Sequence, residues 1–257
     1  MSSEKPKKSL GQHWLNDERI LKQIVQTAEV RPTDTVLEVG PGPGALTELL
    51  AINAQKVIAV EYDADLATKL EGRWGNVEVI EADILDFRLD KLEPGYKVVA
   101  NIPYYLTSHL IRRLLETPNT PELIVLLIQK EVAERIVAEP GQMSILSVSA
   151  QHFADVSLGV EVAASYFVPP PRVDSQVVVL RPHQRPQIDE KKFFQIVKAG
   201  FSEKRKKLVN SLAGGLGIDK IEVATILSEL DVETNARAQE LTLEQWYRLY
   251  ERMINHV

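Results

Sequence analysis

Cysteine is absent from the 257 residues, and that one absence removes disulfides, thiolate catalysis and cysteine-bound zinc together. No apolar run approaches the roughly 20 residues a membrane-spanning helix needs. The opening MSSEKPKKSLGQ carries cations, but it lacks the apolar core of a secretory signal and the Arg-rich amphipathic pattern of a transit peptide. A cytosolic protein is expected. His109, His152, His183 and His256 show no ligand spacing, so no metal site is expected. Neither an internal repeat nor a low-complexity tract occurs.

What is present is an ordinary globular composition, 44% apolar and 26% charged, in a chain long enough for one sizeable core and a smaller unit. The net charge of −6 argues against a polyanionic partner, but it is unevenly spread. Residues 182–257 hold 12 Lys and Arg against 11 Asp and Glu, whereas residues 1–181 hold 18 against 25. Basic residues concentrate in KPKK at 5–8 and EKRKK at 203–207. Such local patches, more than the total, decide nucleic-acid binding.

The apolar stripe of DERILKQIVQTAEV predicts a helix ahead of the first strand. Short β-branched runs follow, DTVLEVG, KVIAVEYD, NVEVIEAD and KVVANIPY, separated by helical stretches such as GALTELLAINA and ADLATKLEGRW. This βαβ alternation predicts an α/β fold, a mostly parallel sheet with helices on both faces and ligands at the carboxyl ends of its strands. ELIVLLIQ and SQVVVLRP supply further strands. RPHQRPQID at 181–189 reads as a linker, and the remainder is helical, which divides the chain into domains 1–181 and 182–257.

Chemistry enters at EVGPGPGALT, residues 38–47, between a strand and a helix. Gly40, Gly42 and Gly44 let the backbone pass close to a ligand. A plain glycine turn is one reading. Another is a nicotinamide dehydrogenase, because Gly40, Gly42 and Ala45 fit the dinucleotide fingerprint and Glu61 follows Gly40 by 21 residues. Pro41 and Pro43 favour a third, since they remove two N–H donors that a pyrophosphate would use. S-adenosylmethionine is a nucleoside ligand without phosphate. Glu61 would accept from its ribose hydroxyls, and Asp83, at the end of the next strand, from its adenine amine.

The next strand ends in NIPYY. Asn101 and the Ile102 carbonyl can accept the two hydrogens of an adenine amine, while Pro103 fixes the turn and Tyr104 lies on the base. Stacking of that kind is worth roughly 1–3 kcal/mol per base. The plainer alternative is a strand-terminating turn with packing tyrosines. A sulfonium methyl is electrophilic enough that positioning matters more than a general base, so no catalytic acid or base is assigned.

SLGQHWLND at 9–17, EVGPGPGALT, NIPYY and YFVPPPRVDSQVVVL at 166–180 together resemble the rRNA adenine dimethyltransferases over nearly the whole chain. The PPPRVDS form and FSEKRKKLVNSL at 201–212 look like the small-subunit branch. The resemblance implies a Rossmann-like class I methyltransferase sheet plus a small all-α C-terminal domain that binds rRNA. It implies S-adenosylmethionine as methyl donor and dimethylation of two adjacent adenosines in a hairpin loop near the rRNA 3′ end, within an immature small subunit. The family's cofactor contacts fall on His13, Leu15, Gly40, Glu61, Asp83 and Asn101, and Phe167 matches a second aromatic at the target base. Trp14 stands where the family usually has Phe. A basic helix is expected over SEKRKKLVNSL, with Lys204, Arg205, Lys206 and Lys207 turned to phosphates, which would make binding salt-dependent. An assembly factor that acts mainly by binding rRNA is the alternative. Nothing in the sequence reports oligomeric state, and a monomer is the expectation.

Overall fold

The structure, a computed structural model, describes residues 6–7, 10–203 and 205–257. A two-residue strand β1 (Trp14–Leu15) leads into α1 (Glu18–Thr27), which Asp17 caps by accepting from the Arg19 and Ile20 amides. Its buried face is Ile20, Leu21, Ile24 and Val25, the stripe read from the sequence. Then come β2 (Thr35–Val39), α2 (Ala45–Asn53), β3 (Lys56–Glu61), α3 (Ala64–Leu70), β4 (Val77–Glu81), β5 (Lys97–Asn101), α4 (Thr107–Glu116) and β6 (Leu123–Gln129). After α5 (Lys130–Ile136) and α6 (Ile145–Phe153) follow β7 (Ala154–Val162), β8 (Phe167–Val168) and β9 (Ser175–Pro182).

The main sheet has the order β4-β3-β2-β5-β6-β9-β7. β2 through β6 run parallel, and β9 and β7 run antiparallel to their neighbours. Central strands are apolar on both faces, with Val36, Leu37, Val57, Val98, Val99 and Leu126 buried, as a covered parallel sheet requires. The chain leaves β2 towards β3 on one side and returns to β5 on the other. Beyond the carboxyl ends of β2 and β5 the connections therefore diverge, and a crevice opens there.

Gly44 begins α2 at φ 90, where an added Cβ would meet Leu70 Cδ2 at 2.7 Å and Trp74 Cη2 at 2.9 Å. Gly44→Ala is expected to cost about 1–3 kcal/mol from left-handed strain and overpacking. Thermal unfolding checks this, and an unchanged melting temperature would contradict the packing described.

Two compact units result. One is the chain through Glu134 with Phe153–His183, and the other is Arg135–His152 with Gln184–Val257. The division at 181/182 left residues 135–152 with the sheet; by their contacts they join the helices, because Met143 and Val148 are buried in the helical core. That core is built by α7 (Glu190–Gly200), α8 (Leu208–Leu216), α9 (Lys220–Glu229) and α10 (Leu243–Met253) around Phe193, Leu212 and Trp246. Among the described residues no helix is long and apolar enough to cross a membrane.

Candidate active site

A cavity of about 430 Å³ occupies the crevice and is lined from five chain segments. The segment at β1 contributes His13, Trp14 and Leu15, and the β2 end contributes Glu38, Gly40 and Gly42. Glu61 ends β3, Asp83 follows β4, Asn101 ends β5 and Ile102 through Tyr105 follow it.

Each polar group is held by its neighbours. Gly40 and Gly42 both have positive φ, and the Gly42 N–H donates to Glu61 Oε2 at 3.0 Å. Glu61 Oε1 accepts from the Asp63 N–H at 2.9 Å, so the carboxylate is fixed as a fork with lone pairs to spare. Asp83 Oδ1 accepts from the Leu85 N–H at 2.8 Å. Asn101 Nδ2 donates to the His13 carbonyl at 3.2 Å, which sets the amide plane and leaves Oδ1 as the acceptor. His13 Nδ1 lies 2.7 Å from the Pro169 carbonyl, and a carbonyl can only accept, so Nδ1 carries the proton. Tyr104 stacks on the His13 ring with centroids 5.8 Å apart, and its hydroxyl meets Ser175 Oγ at 2.8 Å. Burial pushes that phenol up, so it is neutral. Tyr105 is 65% exposed at the cavity, its ring near Gly11.

The lining has a distinctive charge. Glu38, Glu61 and Asp83 are there, and no lysine or arginine is, among the described residues. Glu38 was not singled out from the sequence, although an acid inside the apolar run TVLEV was the available signal. It is 1% exposed, and its Oε2 has no hydrogen-bond partner among the described residues. Burial pushes its carboxyl up to about 8, with the Glu61 charge adding to the effect, and Glu61 is itself raised by burial. The folded state thus keeps a proton that the unfolded chain releases above about 4.5. Stability from this group is complete below that pH and is lost as pH rises through about 8. Glu38→Gln, a permanently neutral isostere, should match the parent at pH 5 and melt higher at pH 9, by about 2–4 °C per kcal/mol. Parallel pH profiles in a thermal-melt series would contradict this.

Three expectations meet a different geometry. Gly44 faces Leu70 and Trp74 and is not among the lining residues. Phe167 is 2% exposed in the sheet unit's core, also outside the lining. The reason is the β1–β8 pairing, which sets Phe167 opposite Leu15 with its ring inward, while Val168 is exposed. The described part of the basic segment is not a helical face: residues 201–203 and 205–206 form turns and bends, and Lys207 is the residue before α8. Ser202 Oγ donates to the Ala199 carbonyl and closes α7 just beforehand. Arg205, Lys206 and Lys207 are exposed, Lys206 paired with Glu203 at 2.7 Å, and Lys204 lies outside the described residues.

This sheet order, with a glycine loop leaving β2 and an acid ending β3, defines a Rossmann-like methyltransferase dependent on S-adenosylmethionine. The family model for ribosomal RNA adenine dimethylase matches residues 3–255. Ribosomal RNA small subunit methyltransferase A of Dehalococcoides mccartyi is 41% identical over 95% of this chain and 87% of its own length. The protein of that name from Rippkaea orientalis is 43% identical over 94% of this chain and 95% of its own. Among solved structures, a dimethyladenosine transferase from Plasmodium falciparum gives a TM-score of 0.83 at 28% identity, covering 95% of this chain and 98% of that one. The 23S rRNA methyltransferase ErmE gives 0.77 at 30%, covering 94% and 99%. The chain belongs to the ribosomal RNA adenine dimethylase family, enzymes that methylate adenine in rRNA. A nicotinamide dehydrogenase is thereby set aside.

Proposed function

We propose that the enzyme acts in the cytoplasm on an immature small ribosomal subunit and dimethylates two adjacent adenosines in a hairpin loop near the rRNA 3′ end. The names of the curated relatives support the choice of subunit. The observation that carries the chemistry is Asn101, whose amide is oriented by the His13 carbonyl so that Oδ1 is the acceptor at the wall of an acid-lined cavity.

The cavity suits the donor. S-adenosylmethionine is cationic at its sulfonium and ammonium, and it meets the carboxyl groups of Glu61 and Asp83, with the buried Glu38 carboxyl, protonated up to about pH 8, behind them. A pyrophosphate there would face only repulsion. When bound, the donor supplies an electrophilic methyl group. Glu61 accepts from its ribose hydroxyls, Asp83 from its adenine amine, and Gly40, Gly42, His13 and Leu15 enclose the rest. Gly44 serves by letting α2 start close against α3.

On the acceptor side, Asn101 Oδ1 and the Ile102 carbonyl accept hydrogen bonds from the two amine hydrogens, which draws the nitrogen lone pair out of conjugation with the ring. As the N–C bond forms the donor's S–C bond breaks, and the amine proton leaves to solvent. Pro103 fixes their direction. Tyr104, anchored by Ser175 and backed by His13, is the platform for a base drawn out of its stack. Phe167, opposite Leu15 in the β1–β8 ribbon, holds the β1 segment against the core. Arg205, Lys206 and Lys207, with Lys204, neutralise rRNA phosphates. The test is transfer of labelled methyl to small subunits from cells lacking the modification. Incorporation there and not into large subunits is expected, and the reverse preference would reject the assignment.

A further inference from the structure

Asp83 stands on a single turn of chain that no helix continues. Its carbonyl accepts from the Asp86 and Phe87 N–H groups, both at 3.0 Å, and its Oδ1 accepts from the Leu85 N–H at 2.8 Å. The aim of the carboxyl group is therefore the aim of that turn. One turn by itself is unfavourable, because it fixes several backbone dihedrals for few hydrogen bonds, so it needs a tie from outside.

Arg113, in the last turn of α4, supplies that tie, its Nη2 donating to the Phe87 carbonyl at the end of the turn. The guanidinium is half-buried, makes no ion pair among the described residues, and keeps its Nε buried without a partner. Its neighbour Arg112 is exposed and pairs with Glu116 at 2.8 Å, as a surface arginine ordinarily does. Holding a cation half-buried for one backbone carbonyl is costly, and the hydrogen bond it makes is of the strong, charge-assisted kind. Asn119 ties the following stretch, donating to the Leu89 and Leu92 carbonyls at 3.0 and 2.9 Å. Arg113 is the side chain that holds the Asp83 turn itself.

The same helix serves the other side of the cavity. α4 begins at Thr107, whose Oγ1 donates to the Tyr104 carbonyl at 3.0 Å, and Leu110, Ile111 and Leu114 bury its inner face. At about 1.5 Å per residue, Thr107 and Arg113 lie about 9 Å apart along one rigid element. We infer that Arg113 is a positioning residue for Asp83, holding the turn that points its carboxyl group at the adenine amine of the methyl donor, and so sets the selectivity of the site for adenine. The inference rests on the proposed contact between Asp83 and that amine. Arg113 is not among the residues lining the cavity, so it acts through the turn.

Calorimetric titration of the full-length protein compares S-adenosylhomocysteine with the analogue that carries purine in place of adenine and lacks only the amine. The parent should prefer S-adenosylhomocysteine about tenfold or more, the worth of one hydrogen bond to a charged group. Arg113→Met should reduce the preference to about threefold or less, with the loss falling on S-adenosylhomocysteine and the purine analogue binding as it does to the parent. The ratio does not depend on how much of the variant folds, because unfolded chain binds neither ligand. Arg113→Lys, which keeps the charge and most of the stem, should show the same fall in smaller measure. In Asp83→Ala the preference is already gone, and adding Arg113→Met should change it no further. An unchanged preference in both Arg113 variants would overturn the inference, and so would equal losses for both ligands, which would mark a general structural role. A parent that binds the two ligands equally would instead remove Asp83 from adenine recognition and the role of Arg113 with it. Failure of the parent to bind either ligand would reject the cofactor site itself.

Discussion

Asn101→Ala lowers the methyl-transfer rate by about 10²–10³-fold, the usual loss when one preorganised polar group that acts in the transition state is removed. The substitution takes away the Oδ1 acceptor and also the 3.2 Å bond from Nδ2 that ties β5 to the His13 carbonyl. Both losses fall on the acceptor side, where the amine must be held with its lone pair towards the methyl group. The nucleoside contacts proposed for Glu61 and Asp83 are untouched, so S-adenosylhomocysteine should still bind within about tenfold of the parent. Single-turnover transfer to small subunits and calorimetry together measure the two quantities. Undiminished transfer would remove Asn101 from the mechanism, and abolished cofactor binding would move its role to the donor side.

Glu61→Ala produces the converse pattern. The carboxylate takes the Gly42 and Asp63 N–H groups, one on each oxygen, and has further lone pairs for two ribose hydroxyls. Alanine removes the ligand contacts and leaves the two amides without an acceptor. With hydrogen bonds to a charged group worth roughly 1.5–3 kcal/mol each, affinity for S-adenosylhomocysteine should fall at least about 100-fold. Glu61→Gln separates the contributions: it keeps one oxygen but turns an NH₂ towards one of the two amides. Its loss should lie between parent and alanine. A Glu61→Ala protein that binds S-adenosylhomocysteine normally would show that the cofactor lies elsewhere.

The parts of the fold that the sequence announced are those where local pattern and burial agree. TVLEV, KVIAVE and KVVAN are β-branched because they lie inside a parallel sheet, and their ends bring Gly40, Glu61 and Asn101 together by topology alone. β7 was not legible, since Gly159 interrupts its alternation. A Cβ there would lie 2.8 Å from Val177 Cγ1, so the glycine reports a close approach of β9 that only the pairing reveals. The excursion of residues 135–152 into the helical core depends on long-range packing of Met143 and Val148.

Within the site, glycines and acids at strand ends could be read directly. What could not be read was direction. Phe167 and Trp14 are both aromatic, and both sit in the small β1–β8 ribbon, yet register sends the first into the core and the second to the cavity wall. Gly44 lies only two residues beyond Gly42, but its Cα faces α3. The basic run at 204–207 read as a helical stripe; its described residues, 205–207, instead precede the helix, and α8 begins only at Leu208. Glu38 went unremarked because burial, and with it a proton held up to about pH 8, is a property of the folded interior.

The central claim is that an acid-lined cavity holds a methyl donor beside an asparagine that accepts an adenine amine from small-subunit rRNA. Mass spectrometry of the target loop, after unmodified small subunits are incubated with the enzyme and isotope-labelled S-adenosylmethionine, tests it most directly. Four labelled methyl groups on two adjacent adenosines, two on each exocyclic amine, are expected. Label on any other atom or on another base, or rRNA that is bound and left unmethylated, would contradict the account.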